Sequence, residues 1–264
     1  MTAVETLDRQ SGLEVEGLRV AFGGLVAVDG IDLVAPEGRI VGLIGPNGAG
    51  KTTTFNACSG VLKPTHGRIR FLGEDISGLG VAARPRRGLG RTFQRMELFD
   101  SMTVAENVSL GREAGRVGSS VVRHLFANRS SRAELAAAAD ESLRLCGIGA
   151  IADRTVGTLS TGQRRLVELA RVLAGDFRLL LLDEPSSGLN AEETSAFGGV
   201  LEAVVAERRV GILLVEHDMS LVMRVCEYLY VLDFGKPIFD GTPGEVRASD
   251  VVRAAYLGTE TVGE

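Results

Sequence analysis

Residues 39–53, RIVGLIGPNGAGKTT, constrain the fold more than any other part of this 264-residue chain. Arg39 to Gly45 contains the unbroken apolar run IVGLI, the pattern of a strand covered on both faces. The run stops at a glycine-rich loop that fits G-x-x-x-x-G-K-[ST], Gly45 to Thr52, followed by Thr53 and a helical stretch ending near Gly60. Gly45, Pro46, Asn47, Gly48, Ala49 and Gly50 form a loop whose successive backbone N–H groups can wrap phosphates, and a helix N-terminus adds positive potential. In such a loop Lys51 reaches the β- and γ-phosphates and the Thr52 hydroxyl ligates Mg²⁺. The sequence therefore calls for a parallel-sheet α/β protein with a phosphate site at a strand end.

Two more apolar runs, FRLLLLDE (177–184) and RVGILLVEH (209–217), each lead into helix-like sequence. With RIVGLIG they read as three buried parallel strands. Upstream, residues 1–12 read as a loose tail and LEVEGLRVAF (13–22) as a strand broken by Gly23-Gly24. VAVDGIDLVA then resumes, with Asp29-Gly30 as a turn. RIRFLGEDI (68–76) alternates Ile69 and Phe71 with polar residues before a Gly73 turn, as a half-exposed antiparallel strand does. From about 95 to 158 the chain changes character. SSRAELAAAADESLRLCGI is Ala-rich and helical, with Ser131 and Glu134 spaced as a capping box, so this stretch reads as a helical insert. No internal repeat is visible.

In an open α/β sheet, ligands collect at the carboxyl ends of the strands. The second strand ends in LLLLDEP. A carboxylate closing a buried strand is costly without a partner, and beside a phosphate loop it can hold Mg²⁺ directly or through water. Pro185 biases Glu184 toward extended backbone, so Asp183 and Glu184 point in different directions. One can then serve the metal while the other orients an attacking water. The third strand ends in VEHD. His217 there is either a surface or capping residue or a contact to the γ-phosphate or the water. Gln94, at the junction into the insert, is in position to reach Mg²⁺ or the water. Phe22, at the end of the first strand, is a core aromatic or a stacking partner for adenine.

Composition narrows the partners. The net charge is −5, and lysine occurs only at Lys51, Lys63 and Lys236, so no basic stripe for nucleic acid is apparent. Cys58, Cys146 and Cys226 show no metal or disulfide spacing and read as buried thiols in a reducing cytosol. The start of the chain lacks the pattern of a signal peptide. The longest apolar runs are too short to span a bilayer; if the protein works at a membrane, another chain does the spanning.

GPNGAGKTT, Gln94, LSTGQ (159–163), LLLLDEP and His217 occur in that order, from about Leu13 to Gly258. This set resembles the nucleotide-binding subunits of ABC transporters. FGGLVAVDGIDL, RTFQRMELFDSMTVAENV, SSGLN, EHDM, VLDFGKPIFDGTPGEV and AYLG resemble the ATP-binding subunits of branched-chain amino acid importers. Urea and amide importers and the lipopolysaccharide export ATPase share much of this pattern. The resemblance implies the ABC ATPase fold over residues 13–258: an α/β, P-loop NTPase (RecA-like) core with an antiparallel β-subdomain and an inserted α-helical subdomain, and a short tail at 259–264. It implies ATP and Mg²⁺ as cofactors, with Gly45, Asn47, Gly48, Gly50, Lys51, Thr52 and Thr53 on phosphate and metal. Asp183 matches the Walker B acid that binds Mg²⁺ with Thr52 and Gln94, Glu184 the catalytic carboxylate, Gln94 the Q-loop glutamine and His217 the switch histidine. Ser187, Gly188, Leu189 and Asn190 match the D-loop. Thr161 stands where the signature commonly has glycine, and Asn190 where many family members have Asp.

The LSTGQ stretch starts a helix with Ser160 at its N-cap, Gln163 in the capping-box position, and Leu166, Leu169, Ala170 and Leu173 on one face. A helix start with an exposed hydroxyl and a close-approach Gly162 is also an anion site. The resemblance implies a head-to-tail pair, with an identical or paralogous subunit, in which Ser160, Thr161, Gly162 and Gln163 serve the other chain's phosphate. It further implies two membrane-spanning permeases, an extracytoplasmic solute-binding protein if the system imports, no nucleic acid, and a place on the cytoplasmic face of the membrane. The expected function is an ATP-driven motor for import of branched-chain amino acids or related small polar solutes. Rival readings are an export ATPase of the lipopolysaccharide type, a soluble ABC ATPase of repair or translation, and another P-loop NTPase. The last leaves LSTGQ and His217 unexplained.

Overall fold

The computed structural model describes residues 11–92, 98–114 and 129–257. Strands β1 (Gly12–Phe22), β2 (Leu25–Pro36), β4 (His66–Phe71) and β5 (Glu74–Asp75) form an antiparallel sheet in the order β2-β1-β4-β5. Strands β3 (Ile40–Ile44), β6 (Leu89–Arg91), β7 (Leu179–Asp183), β8 (Gly211–Val215), β9 (Tyr228–Asp233) and β10 (Lys236–Gly241) form the second sheet, in the order β10-β9-β3-β8-β7-β6. All its pairings are parallel except β9 with β10. The three expected strands, β3, β7 and β8, lie at its centre and are buried at every position.

Period-two alternation divides this sheet between two apolar cores. Val41, Leu43, Leu179 and Leu181 pack toward helix α1 (Lys51–Ser59) and the antiparallel sheet. Ile40, Ile44, Leu180 and Leu182 pack toward the helices on the other face. Those include α2 (Val104–Ala114), α3 (Arg129–Leu145), α4 (Thr161–Leu173), α5 (Ala191–Arg208), α6 (Met219–Val225), α7 (Pro243–Ala248) and α8 (Asp250–Leu257). A sheet covered on both faces explains the continuous apolar runs. Helix α2 crosses α4 closely enough that a Cβ at Gly111 would lie 1.7 Å from the Arg171 carbonyl oxygen.

Three local readings change. Asp29-Gly30 is not a turn: β2 runs through it, and Gly30, at φ +73°, sits at a register shift between the pairs Leu18–Ile31 and Val20–Val28. The extra β2 residue makes a bulge, which Asp-Gly suits as well as it suits a hairpin. Ser131 lies inside α3, which already includes Arg129, rather than at its N-cap. Glu184 is not extended: its φ is +47°.

One arginine ties the segment that follows β5 to α1. Arg84 is 1% exposed. Its guanidinium donates to the carbonyl oxygens of Ala57 (2.8 Å), Cys58, Ile76 (3.0 Å) and Leu79 (3.1 Å). Two of these carbonyls belong to the last turn of α1, where the helix dipole favours a cation. Burial holds its pKa below the usual arginine value. Arg84→Leu is expected to destabilise the fold by about 2–4 kcal/mol, because several buried carbonyls lose a charged donor. Urea unfolding reads this directly, and a loss below about 1 kcal/mol would contradict it.

Candidate functional site

The loop after β3 is shaped by three glycines. Gly45 has φ +150°, and a Cβ on it would lie 2.1 Å from the Leu232 carbonyl oxygen. Gly48 (φ +80°) stands at the exposed tip, and Gly50 (φ +93°) is the N-cap of α1. The first turn of α1 carries no acidic residue, so its positive end is open to an anion. Asn47 and Thr52 are exposed, Thr53 is half-buried, and Pro46 and Ala49 are buried. Lys51 is 8% exposed and folds back on the loop, its Nζ donating to the carbonyl oxygens of Gly45 (2.6 Å) and Pro46 (2.8 Å). Burial holds its pKa below the usual lysine value, against the pull of Glu184 and Asp183. The loop is also braced from behind: Gly235, in the β9–β10 turn, donates its N–H to the Ala49 carbonyl. Tyr256 of α8 is hydrogen-bonded to the backbone of Gly45, and burial pushes its pKa up to about 12.

Asp183 and Glu184 lie at the carboxyl end of β7. Asp183 is 2% exposed, and burial raises its pKa; the charge of Arg91 pulls it down, Glu184 and Glu216 push it up, and Lys51 pulls it down. Glu184 is half-buried and sits in a turn: its N–H donates to the Val215 carbonyl (2.8 Å), and its own carbonyl accepts from the Ser187 N–H (3.1 Å). These two bonds hold the left-handed backbone that Pro185 alone would not predict. A non-glycine residue there stores about 1–3 kcal/mol and is common where a catalytic group must be aimed. His217 follows β8, its side chain 63% exposed, with Nδ1 3.8 Å from Glu216. Lys51, Asp183 and Glu184 lie close enough to act on one another electrostatically, and His217 follows β8, the strand paired with β7. Gln94 lies outside the described residues. Phe22 is 48% exposed beside the Gly23-Gly24 turn, which excludes the core-aromatic reading.

The donor set suits Mg²⁺. The Thr52 hydroxyl and the Asp183 carboxylate are hard oxygens, and Mg²⁺ is typically held by one or two such groups with water and phosphate oxygens. Asp183, buried with its pKa pushed up, is a carboxylate that a nearby dication would relieve.

The LSTGQ helix start is built as expected. The Ser160 Oγ accepts from the Gln163 N–H (3.3 Å), and the Gln163 Oε1 accepts from the Ser160 N–H (3.2 Å). Leu169, Ala170 and Leu173 are buried and Leu166 packs on the same core. Gly162 has a second reason to lack a side chain: a Cβ there would lie 2.6 Å from the Glu193 Oε1 of α5. The segment from Ser187 to Asn190 packs directly on this helix. Arg165 donates from Nε and Nη2 to the Ser187 carbonyl, both at 3.2 Å, and pairs with Glu168 at 3.0 Å. The Thr161 methyl faces Gly188 (φ +84°). Leu189 packs on the helical core, and Asn190 is the N-cap of α5, forming a capping box with Glu193. Asn serves that cap as well as Asp would.

Three residues near the site escaped the sequence reading. Arg91, at the end of β6, lies 3.7 Å from Asp183, over the Phe55 ring and against the Ser59 hydroxyl. Arg165 and Glu216 are the other two. A three-residue strand shows no periodicity, and a lone charge on a helix or beside a histidine reads as solvated. Only the fold reveals that all three are buried or nearly so.

The pattern of the ABC transporter family matches residues 28–187. The chain belongs to that family. A second pattern, that of the branched-chain amino acid ATP-binding cassette transporter, matches residues 236–262. The high-affinity branched-chain amino acid transport ATP-binding protein BraF of Pseudomonas aeruginosa is 42% identical over 249 residues, 93% of this chain and 97% of that protein. The corresponding LivG of Escherichia coli K12 is 38% identical over the same length. The lipopolysaccharide export system ATP-binding protein LptB of Haemophilus influenzae is 34% identical over 248 residues, 94% of this chain and 98% of that protein. Among solved structures, the ADP conformation of MJ1267, an ATP-binding cassette of an ABC transporter, has a TM-score of 0.82 at 29% identity, covering 94% of this chain and 98% of that one. The family pattern, the transport ATPase relatives and the shared fold make this an ATP-hydrolysing subunit of a membrane transporter. None of its described helices is long and apolar enough to cross a membrane.

Proposed function

We propose that this chain is the ATPase motor of an importer for branched-chain amino acids, docked on the cytoplasmic side of two permease subunits and fed by an external solute-binding protein. The C-terminal match over residues 236–262, which belongs to the branched-chain amino acid cassettes, carries the substrate class. The higher identity to BraF than to LptB, 42% against 34%, favours import over lipopolysaccharide export.

In this reading two chains pair head to tail around two ATP molecules. Phe22 stacks on adenine. The N–H groups of the Gly45–Thr53 loop bind the phosphates, and Lys51 exchanges two backbone carbonyls for phosphate oxygens. Thr52, Asp183 and Gln94 hold Mg²⁺, which offsets charge on the β- and γ-phosphates when bound. Glu184 orients the attacking water and takes up its proton. His217 holds the γ-phosphate side of the site. The partner's Ser160–Gln163 stretch closes over that phosphate, and the D-loop, Ser187 to Asn190, links the two sites.

The reconstituted complex is expected to hydrolyse ATP faster when leucine, isoleucine or valine is supplied with the cognate binding protein. Phosphate release across a panel of amino acids, urea and short amides checks this. Stimulation by urea or amides alone would overturn the substrate class while leaving the motor intact.

A further inference from the structure

Glu216 lies between the end of β8 and His217, and it is wholly buried. A carboxyl group removed from water is costly unless its oxygens are satisfied. No lysine or arginine among the described residues pairs with it, its carboxylate lies in the field of Asp183, and the His217 Nδ1 is 3.8 Å away. Its oxygens are instead divided between two loops. Oε1 accepts the N–H of Ser186 at 2.8 Å and its hydroxyl at 2.7 Å. Oε2 accepts the N–H of His217 at 3.1 Å and that of Asp218 at 3.5 Å.

Ser186 is two residues past Glu184, in the turn that the Ser187-to-Glu184 backbone bond closes. That turn is gripped on its far side by Arg165, through the Ser187 carbonyl. Glu216 therefore joins the segment that aims Glu184 to the segment that carries His217.

We propose that Glu216 is a positioning residue for hydrolysis, a strut that holds the Glu184 turn and the His217 loop at one spacing. The proposal rests on the roles given above to Glu184 and His217. Misplacing reacting groups by about 1 Å can slow a reaction on the order of a hundredfold. A strut should therefore act on turnover and not on nucleotide affinity, since none of its partners belongs to the phosphate loop.

The test uses the full-length chain with Glu216→Gln, Ser186→Ala and the double variant, measuring kcat, KM and binding of a fluorescent ATP analogue. Glu216→Gln turns one acceptor oxygen into an NH₂ group facing N–H donors. The expected result is a kcat lowered about tenfold to a hundredfold, with KM and analogue affinity within about twofold of the parent. Ser186→Ala removes one donor and should lower kcat by less, and the double variant should be no slower than Glu216→Gln, because the two act through one link. An unchanged kcat in Glu216→Gln, multiplicative losses in the double variant, or a parallel loss of nucleotide binding would overturn the proposal. If Glu216→Gln does not fold, Ser186→Ala decides, and a kcat equal to the parent's overturns it. Glu184→Gln and His217→Ala run alongside: normal turnover in those variants means that the site reading has failed, and loss there with a normal Glu216→Gln means that only the strut has failed.

Discussion

Glu184→Gln is expected to lower ATP turnover by roughly 10²- to 10³-fold while leaving ATP binding intact, the loss that follows removal of a group that orients water and accepts its proton. The substitution keeps the side-chain volume and asks nothing new of the backbone, since both residues meet the same cost at a φ of +47°. The two bonds that shape the turn, to Val215 and from Ser187, use main-chain atoms and persist. Electrostatics sets the sign for binding. Glu184 lies in the field that acts on both Lys51 and Asp183. Losing its charge removes a negative group from the neighbourhood of a polyanion, so affinity for ATP holds or improves. With binding intact and hydrolysis blocked, the ATP-closed pair should accumulate as a dimer by size exclusion in the presence of Mg²⁺ and ATP. Phosphate release within about threefold of the parent would remove Glu184 from its assigned role.

The large outlines were legible because burial writes itself into sequence. β3, β7 and β8 are covered on both faces and so are unbroken apolar runs, and the glycine loop after β3 is dictated by backbone geometry that few residues tolerate. The LSTGQ cap was legible for the same reason: Ser and Gln three apart satisfy specific N–H groups. What stayed hidden is what depends on distant chain segments meeting. β6 is three residues long and is defined by its pairing with β7, so Leu89 to Arg91 carries no pattern of its own. Arg84, Arg91, Arg165 and Glu216 look like solvated charges until the fold buries them. Asp29-Gly30 and Ser131 mislead in the opposite way. Both are strong local signals, yet pairing with β1 converts one into a bulge, and the other lies inside a helix that begins upstream of it. Glu184 shows tertiary hydrogen bonds overriding the local preference that Pro185 imposes.

Ser160→Arg is expected to abolish turnover while sparing ATP binding to the isolated chain. The contacts of this helix start run to Asp100, the Ser187–Asn190 segment and α5, through Arg164, Arg165, Thr161 and Gly162, and no hydrogen bond or ion pair among the described residues joins it to the Gly45–Thr53 loop. Loss of the cap itself costs only about 1 kcal/mol, far too little to unfold the chain. A large loss must therefore come from the bulky side chain filling the space where a partner's phosphate would sit. Mixing variants makes the two-fold arrangement testable. A Lys51→Ala chain has a damaged phosphate loop and an intact Ser160; a Ser160→Arg chain has the reverse. If each site takes its loop from one chain and its signature from the other, every mixed pair contains one intact site, and an equimolar mixture should recover about a quarter of the parent activity. If both parts served the same site within one chain, a mixed pair would contain two damaged sites and recover nothing. Phosphate release measured across mixing ratios should peak near equal amounts, and a flat baseline at every ratio would overturn a pair with independently competent composite sites.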